Sequence, residues 1–257
     1  MKLFVLGCSG SSPGPSNPSS GYLLEAEDFL LGMELGNGTL AELQALRDPF
    51  DLDALVFSHL HPDHCADFTA LTVFRRYHPA PPYDPRVRRL PVHAPVEAPS
   101  RFAAAYSPDE ADRAETDLTD VFEFHPLHSG TIEIGPFRVD VGKAAHPCEA
   151  YGFRISHGGR TLVYTGDTGP EAPLEELATG ADVLLAEASW THAEDRPRDL
   201  HLSGRQAGRL ARTAGVGRLL VTHVPPWTDR DAVLGEAREE FGEELTELVV
   251  KGATFEI

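Results

Sequence analysis

The stretch SHLHPDHCADF, Ser58 to Phe68, constrains this chain more than any other. It places His59, His61, Asp63 and His64 within six residues, with Pro62 in their midst. A proline inside a helix removes a hydrogen bond and clashes with the preceding turn, so the segment is expected to be a loop. The run ALVFS just before it, Ala54 to Ser58, reads as a buried strand. The loop therefore leaves the end of a strand, where α/β proteins usually place their chemistry. Neutral imidazole and carboxylate together suit zinc and related divalent ions. Residues two apart in an extended loop point the same way, so His59 and His61 can grip one ion while Asp63 and His64 turn toward a second. Two ions need more ligands than this stretch supplies. The isolated histidines, His78, His93, His125, His128, His157 and His192, read as surface or hydrogen-bonded core side chains.

Length and charge narrow the setting. A chain of 257 residues can form one large α/β domain, here taken as residues 1–257. No apolar run approaches membrane-spanning length, and MKLFVLG reads as a first strand, not a signal peptide, so a cytoplasmic protein with no membrane partner is expected. The three cysteines, Cys8, Cys65 and Cys148, are widely spaced, odd in number and lack C-x-x-C pairing, so neither a disulfide framework nor a zinc knuckle is indicated. Cys65 and Cys148 lie beside candidate ligands. Forty acidic side chains against 22 basic ones give a net charge of −18. That disfavours a long nucleic acid, whose affinity comes from lysine and arginine contacts to phosphates. Local basic patches remain at FRRYH and RVRRL, and a small anion could be drawn to the metals themselves.

Along the chain, strands are expected at Lys2 to Leu6, Tyr22 to Glu25, Phe29 to Met33 and Ala54 to Ser58, with helices within Thr39 to Leu46 and from Ala66 to Arg76. HPAPPYDP reads as a surface loop and DRAETD as an acidic surface segment. Strands recur at Val121 to Phe124, Thr131 to Ile134 and Phe137 to Val141. The second half repeats the pattern, with strands at Tyr151 to Ser156, Thr161 to Tyr164, Val183 to Ala186 and Leu219 to Thr222. Helices near Pro173 to Ala178, Ser203 to Ala214 and Asp231 to Phe241 alternate with them. Two sheet-and-helix halves imply an α/β four-layer αββα sandwich. GCSGSSPGPSNPSSG lacks the Gly-Lys-Ser/Thr ending of a P-loop and reads as a flexible loop at the mouth of the site.

Strand ends further along present one histidine or aspartate each: His146 in AAHPCEAYGFRI, Asp167 in LVYTGDTGP and His223 in LLVTHVPPW, while His201 opens HLSGRQAGRLA. With the His59 to His64 loop, this order resembles the metallo-β-lactamase fold hydrolases, in the branch that holds RNase Z and small-molecule phosphodiesterases. GCSGS, SGYLL, VFRRYHP, ASWTH, HLSG and PPWT are most similar to bacterial atypical class II-like cyclic AMP phosphodiesterases. The resemblance implies two divalent metal ions, zinc foremost with manganese as the alternative. It gives the first ion His59, His61 and His146, the second Asp63, His64 and His223, and makes Asp167 a bridge between them. Where relatives usually carry Asp in a D-x-G-x-G turn, this chain has Glu34 in MELGNG, an acid expected to support the metal loop from behind.

Two adjacent cations lower the pKa of bound water and clamp a phosphodiester for in-line attack. Asp63 and Asp167 are expected to orient the resulting hydroxide, and His201 to hydrogen-bond the phosphate and protonate the leaving alkoxide. Arg75, Arg76 and Trp190 are candidates for phosphate and base contacts. The expected reaction is hydrolysis of a small cyclic phosphodiester, 3′,5′-cyclic AMP above all, to the monophosphate. A 2′,3′-cyclic phosphate, a tRNA 3′-end endonuclease of the RNase Z type and a non-catalytic metal-binding protein are the rivals. The tRNA enzymes carry a long Gly/Pro-rich arm between the third-histidine and bridging-aspartate motifs, and His146 to Asp167 leaves no room for one. The sequence leaves a homodimer open.

Overall fold

The alternation of side chains along each strand explains how these apolar runs are used. Strand β1 (Lys2–Gly7) sends Leu3 and Val5 to one face and Phe4 and Leu6 to the other, and both faces are buried. β11 (Val183–Glu187) does the same with Val183 and Leu185 on one side and Leu184 and Ala186 on the other. Strands buried on both faces read as continuous hydrophobic runs, and they belong in the middle of a layered structure. The computed structural model describes residues 1–257 and has that architecture. Two seven-stranded mixed sheets pack face to face, with helices on both outer faces, as an αββα sandwich.

The first sheet also contains β2 (Gly21–Ala26), β3 (Phe29–Met33), β4 (Ala54–Val56), β5 (Leu90–Ala94), β6 (Phe122–Pro126) and β14 (Thr254–Glu256), in the order β14-β1-β2-β3-β4-β5-β6. Helices α1 (Thr39–Leu46), α3 (Phe68–Tyr77) and α4 (Ala98–Tyr106) cover its outer face. The second sheet orders β13 (Thr246–Leu248), β12 (Arg218–Thr222), β11, β10 (Arg160–Tyr164), β9 (Tyr151–His157), β8 (Phe137–Lys143) and β7 (Gly130–Ile134). Its outer face is covered by α6 (Leu174–Ala178), α7 (Gly204–Ala214) and α8 (Arg230–Phe241). β3 to β6 run parallel, and so do β10 to β13. Their carboxyl ends gather at one edge of the sandwich, where Tyr22 Oη meets Thr222 Oγ1 at 2.6 Å and joins the sheets. No helix is long and apolar enough to cross a membrane.

Two expectations are corrected. Pro62 does not keep its segment out of a helix: Pro62–Cys65 forms a helical turn, α2, with the proline at its first position, where the missing N–H had no partner to lose. The acidic segment DRAETD is on the surface as expected, and its first four residues lie within a short helix, α5 (Glu110–Glu115), capped by Asp109, whose side chain accepts from Asp112 N. The Gly/Ser/Pro loop after β1 is anchored, with Ser9, Ser19 and Ser20 buried and Ser20 N donating to Asp63 O at 3.1 Å. Strands β5, β13 and β14 and helix α4 are additions to the sequence reading.

Candidate metal centre

His61 caps the amino end of α2, and the turn that follows rotates Asp63 and His64 away from His59 and His61. This one turn divides four donors into two pairs. His146, after β8, completes the first set: His59 Nε2 lies 3.0 Å from His61 Nδ1, which lies 3.1 Å from His146 Nε2. Asp167, after β10, and His223, after β12, complete the second. His64 Nε2 is 3.1 Å from His223 Nε2, and Asp63 Oδ2 is 3.1 Å from His223 Nε2. Asp167 faces both sets, with Oδ2 3.8 Å from His59 Nε2 and Oδ1 3.2 Å from His64 Nε2 and 3.3 Å from His223 Nε2. All seven side chains predicted as ligands therefore meet at one place, in two groups that could hold metal ions.

The chemistry of the donors fits such ions. His146 Nδ1–H donates to Leu200 O at 2.9 Å, which leaves its Nε2 lone pair facing the cluster. His59 Nδ1 pairs with Ser58 Oγ at 3.0 Å and His223 Nδ1 with Ser189 Oγ at 3.0 Å, again freeing the inner nitrogens. Orienting partners of this kind are typical of metal-bound histidines. Asp167 Oδ1 is buried without a well-directed donor. Burial pushes the imidazoles of His59, His61 and His146 below their ordinary pKa, toward the neutral form that binds a cation. Burial would raise Asp63 and Asp167, but the neighbouring imidazoles of His223 and His64 outweigh it and hold both carboxyls well below the usual range.

Backbone strain marks the same edge of the sheets. Glu34, at φ 62°, and His223, at φ 58°, are left-handed non-glycine residues just beyond β3 and β12. Glu34 Oε1 accepts from Ser58 N at 2.9 Å and lies 3.6 Å from His64 Nδ1, so this buried acid supports the His59 to His64 segment from behind. Gly10 packs against the same strained residue, where a Cβ would lie 2.2 Å from His223 O.

His201 stands beside the second set, its ring 5.4 Å from that of His223 and 5.6 Å from that of His146. Its Nδ1 pairs with Glu187 Oε1 at 3.0 Å. Burial would lower this imidazole, but Glu187 overrides burial and raises it to about 9. Glu187, the last residue of β11, was missed in the sequence. It is 1% exposed, accepts from Thr168 N at 2.7 Å and from Ser189 Oγ at 3.0 Å, and through Ser189 orients His223 as well. The available signal was a lone carboxylate closing the apolar run VLLAE, since a buried charge requires partners.

The three proposed substrate contacts separate. Trp190 lies at the site, its ring 5.2 Å from His201. Arg75 does not: it is buried at 2% exposure among Phe50, Tyr83 and Phe122 and donates to Arg88 O. Arg76 is held in a bidentate pair with Asp120. Both arginines pair with residues outside the cluster. Among the isolated histidines, His93 and His125 stack on each other at 4.8 Å, outside the cluster.

The sequence profile of the beta-lactamase superfamily domain matches residues 32–224. An uncharacterized protein of Mycobacterium leprae is 46% identical over 262 residues, covering 100% of this chain and 89% of the relative. The "probable metallo-hydrolase YhfI" of Bacillus subtilis is 30% identical over 253 residues, covering 95% and 96%. The crystal structure of that Bacillus subtilis metallo-beta-lactamase fold protein superposes with a TM-score of 0.84 over 99% of this chain and 98% of its own, at 27% identity. A ribonuclease Z of Myxococcus xanthus is 26% identical over 303 residues, covering 100% of this chain and 98% of that one.

Proposed function

The chain belongs to the beta-lactamase superfamily, and we propose that it is a dinuclear metal-dependent phosphodiesterase acting on a small cyclic phosphodiester, 3′,5′-cyclic AMP above all. The observation that carries this reading is the convergence of two donor sets on the single carboxylate of Asp167. Two divalent ions held there, zinc foremost and manganese as the alternative, would activate water near neutral pH and offset phosphodiester charge. Asp63 and Asp167 orient the attacking water. His201 keeps Nε2–H free, because Nδ1 is occupied by Glu187, and it donates first to a phosphoryl oxygen and then to the leaving alkoxide. Glu187 raises this imidazole above its ordinary pKa, which favours the charged form a general acid requires.

Similarity to a ribonuclease Z favours tRNA 3′-end cleavage as the second reading. Three observations rank it lower. The alignment to that relative runs over 303 residues against 257 here, so the relative carries segments that this chain lacks. Between His146 and Asp167 the chain forms only the hairpin β9–β10, closed by Gly158 and Gly159. A net charge of −18 also opposes a long polyanion. The test is a turnover screen of cyclic AMP, a 2′,3′-cyclic nucleotide and precursor tRNA, with protein reconstituted in zinc or manganese. Metal-dependent release of 5′-AMP is expected, with about two ions per chain by elemental analysis. Efficient cleavage of the tRNA with every cyclic substrate ignored would reverse the ranking.

A further inference from the structure

We propose that Trp190 and Arg196 form a nucleobase subsite beside His201, one that fixes the substrate as a nucleotide instead of a simple phosphodiester. This deepens the phosphodiesterase reading and rests on it for the position of the phosphate. Trp190 follows β11 and bridges to Ser203, the residue that caps α7 two positions after His201. Its ring stands nearly perpendicular to that of His201, at 80° and 5.2 Å. The Arg196 guanidinium lies over the indole, 5.0 Å from its centroid. The three groups form one continuous row, imidazole, indole and guanidinium, running outward from the metal centre.

The ends of the row differ in how firmly they are held. Its inner end is fixed by the bond from His201 to Glu187. The segment carrying Arg196 is anchored just after it: His146 donates to Leu200 O, and Gly169 packs so closely on this segment that a Cβ would lie 1.9 Å from Arg198 O. Arg198 is paired with Glu171 at 3.2 Å, whereas the exposed Arg196 side chain has the indole as its partner and forms no ion pair. An unpaired cation in a chain of net charge −18, held on an aromatic face next to His201, is placed for a ligand. Indole faces accept flat cations and flat heteroaromatic bases alike, and a base stacks on them more strongly than an exposed guanidinium does. With its phosphate against His201, a nucleotide lays its base on Trp190, and the guanidinium moves to the outer face of that base.

The experiment compares two probes that share a phosphate and ribose, adenosine 5′-monophosphate and ribose 5-phosphate, by calorimetric titration of the metal-loaded protein. The base should improve affinity by about tenfold or more, given the strength of base–aromatic stacking. Trp190→Ala should abolish that advantage and Trp190→Phe should keep most of it. Arg196→Ala should reduce it, and ribose 5-phosphate should bind all three variants like the parent. Equal binding of the two probes by the parent, binding of neither, or an advantage that survives both alanine substitutions would overturn the proposal. If the base advantage is present and lost as stated while no cyclic phosphodiester is hydrolysed, the subsite stands and the phosphodiesterase reading falls. Hydrolysis of cyclic AMP by a protein indifferent to the base has the opposite meaning.

Discussion

The two halves of the sandwich furnish the candidate metal centre in different ways. The first half delivers His59, His61, Asp63 and His64 from a single turn, so their relative positions are set by a few backbone angles around Pro62. The second delivers His146, Asp167, Glu187, His201 and His223 one at a time, from the ends of separate elements. Their positions depend on sheet register, with Tyr164 opposite Leu185 and Glu187 opposite Thr222. A one-residue slip there would turn every donor to the wrong face. One half is a compact ligand cassette; the other is precise only because the whole sheet is.

The largest effect should come from Asp167, the carboxylate that faces both sets. Asp167→Ala is expected to deplete metal from both and to reduce phosphodiester hydrolysis by more than the ~10⁴-fold upper range of a lost general acid. Retention of two ions by elemental analysis would show that the halves bind metal independently. Next comes His201→Ala, expected to lower kcat by about 10²–10⁴-fold with metal content unchanged, and to be partly rescued on a nitrophenyl phosphodiester, whose leaving group needs little protonation. Equal losses on both substrates would remove its acid role, and loss of metal would make it a ligand. Glu34→Ala probes the support behind the compact turn. It should weaken metal binding by about 10–100-fold in a chelator competition, and an unchanged affinity would mean that the turn holds its own shape.

The smallest effect is a displacement in pH. The acid form of His201 is full below its pKa and is lost as pH rises through about 9 in the metal-free chain, so activity should fall on the alkaline side. Bound cations push this limb lower. Glu187→Gln removes the charge that raises the imidazole and leaves the burial that lowers it, so the limb should move to still lower pH. A pH–rate profile that does not move would dissociate Glu187 from the acid.

This contrast also decides what could be read from the sequence. Four donors in one turn are visible without a fold, and the long apolar runs announced β1, β10, β11 and β12. Glu187 was hidden because its meaning lies in its contact with His201, fourteen residues on and around a loop. Arg75 and Arg76 look like phosphate contacts until Arg88 O and Asp120 claim them across the fold. β5 contains Pro91, and β13 and β14 span three residues each, too little for a periodic signal. The helical turn at Pro62 was misread because proline forbids a helix interior and favours a helix start, and its neighbours decide which applies.

The Gly158–Gly159 turn has a consequence for engineering. A side chain added at either glycine would meet nothing within 4 Å, and the turn joins two strands whose far ends approach His146 and Asp167. Lengthening such a loop costs little, about 0.6 kcal/mol for each doubling. The hairpin is therefore a modular port: an inserted recognition arm would hang outside the sandwich while its base stayed in register with the metal centre. The cassette of histidines would be left untouched.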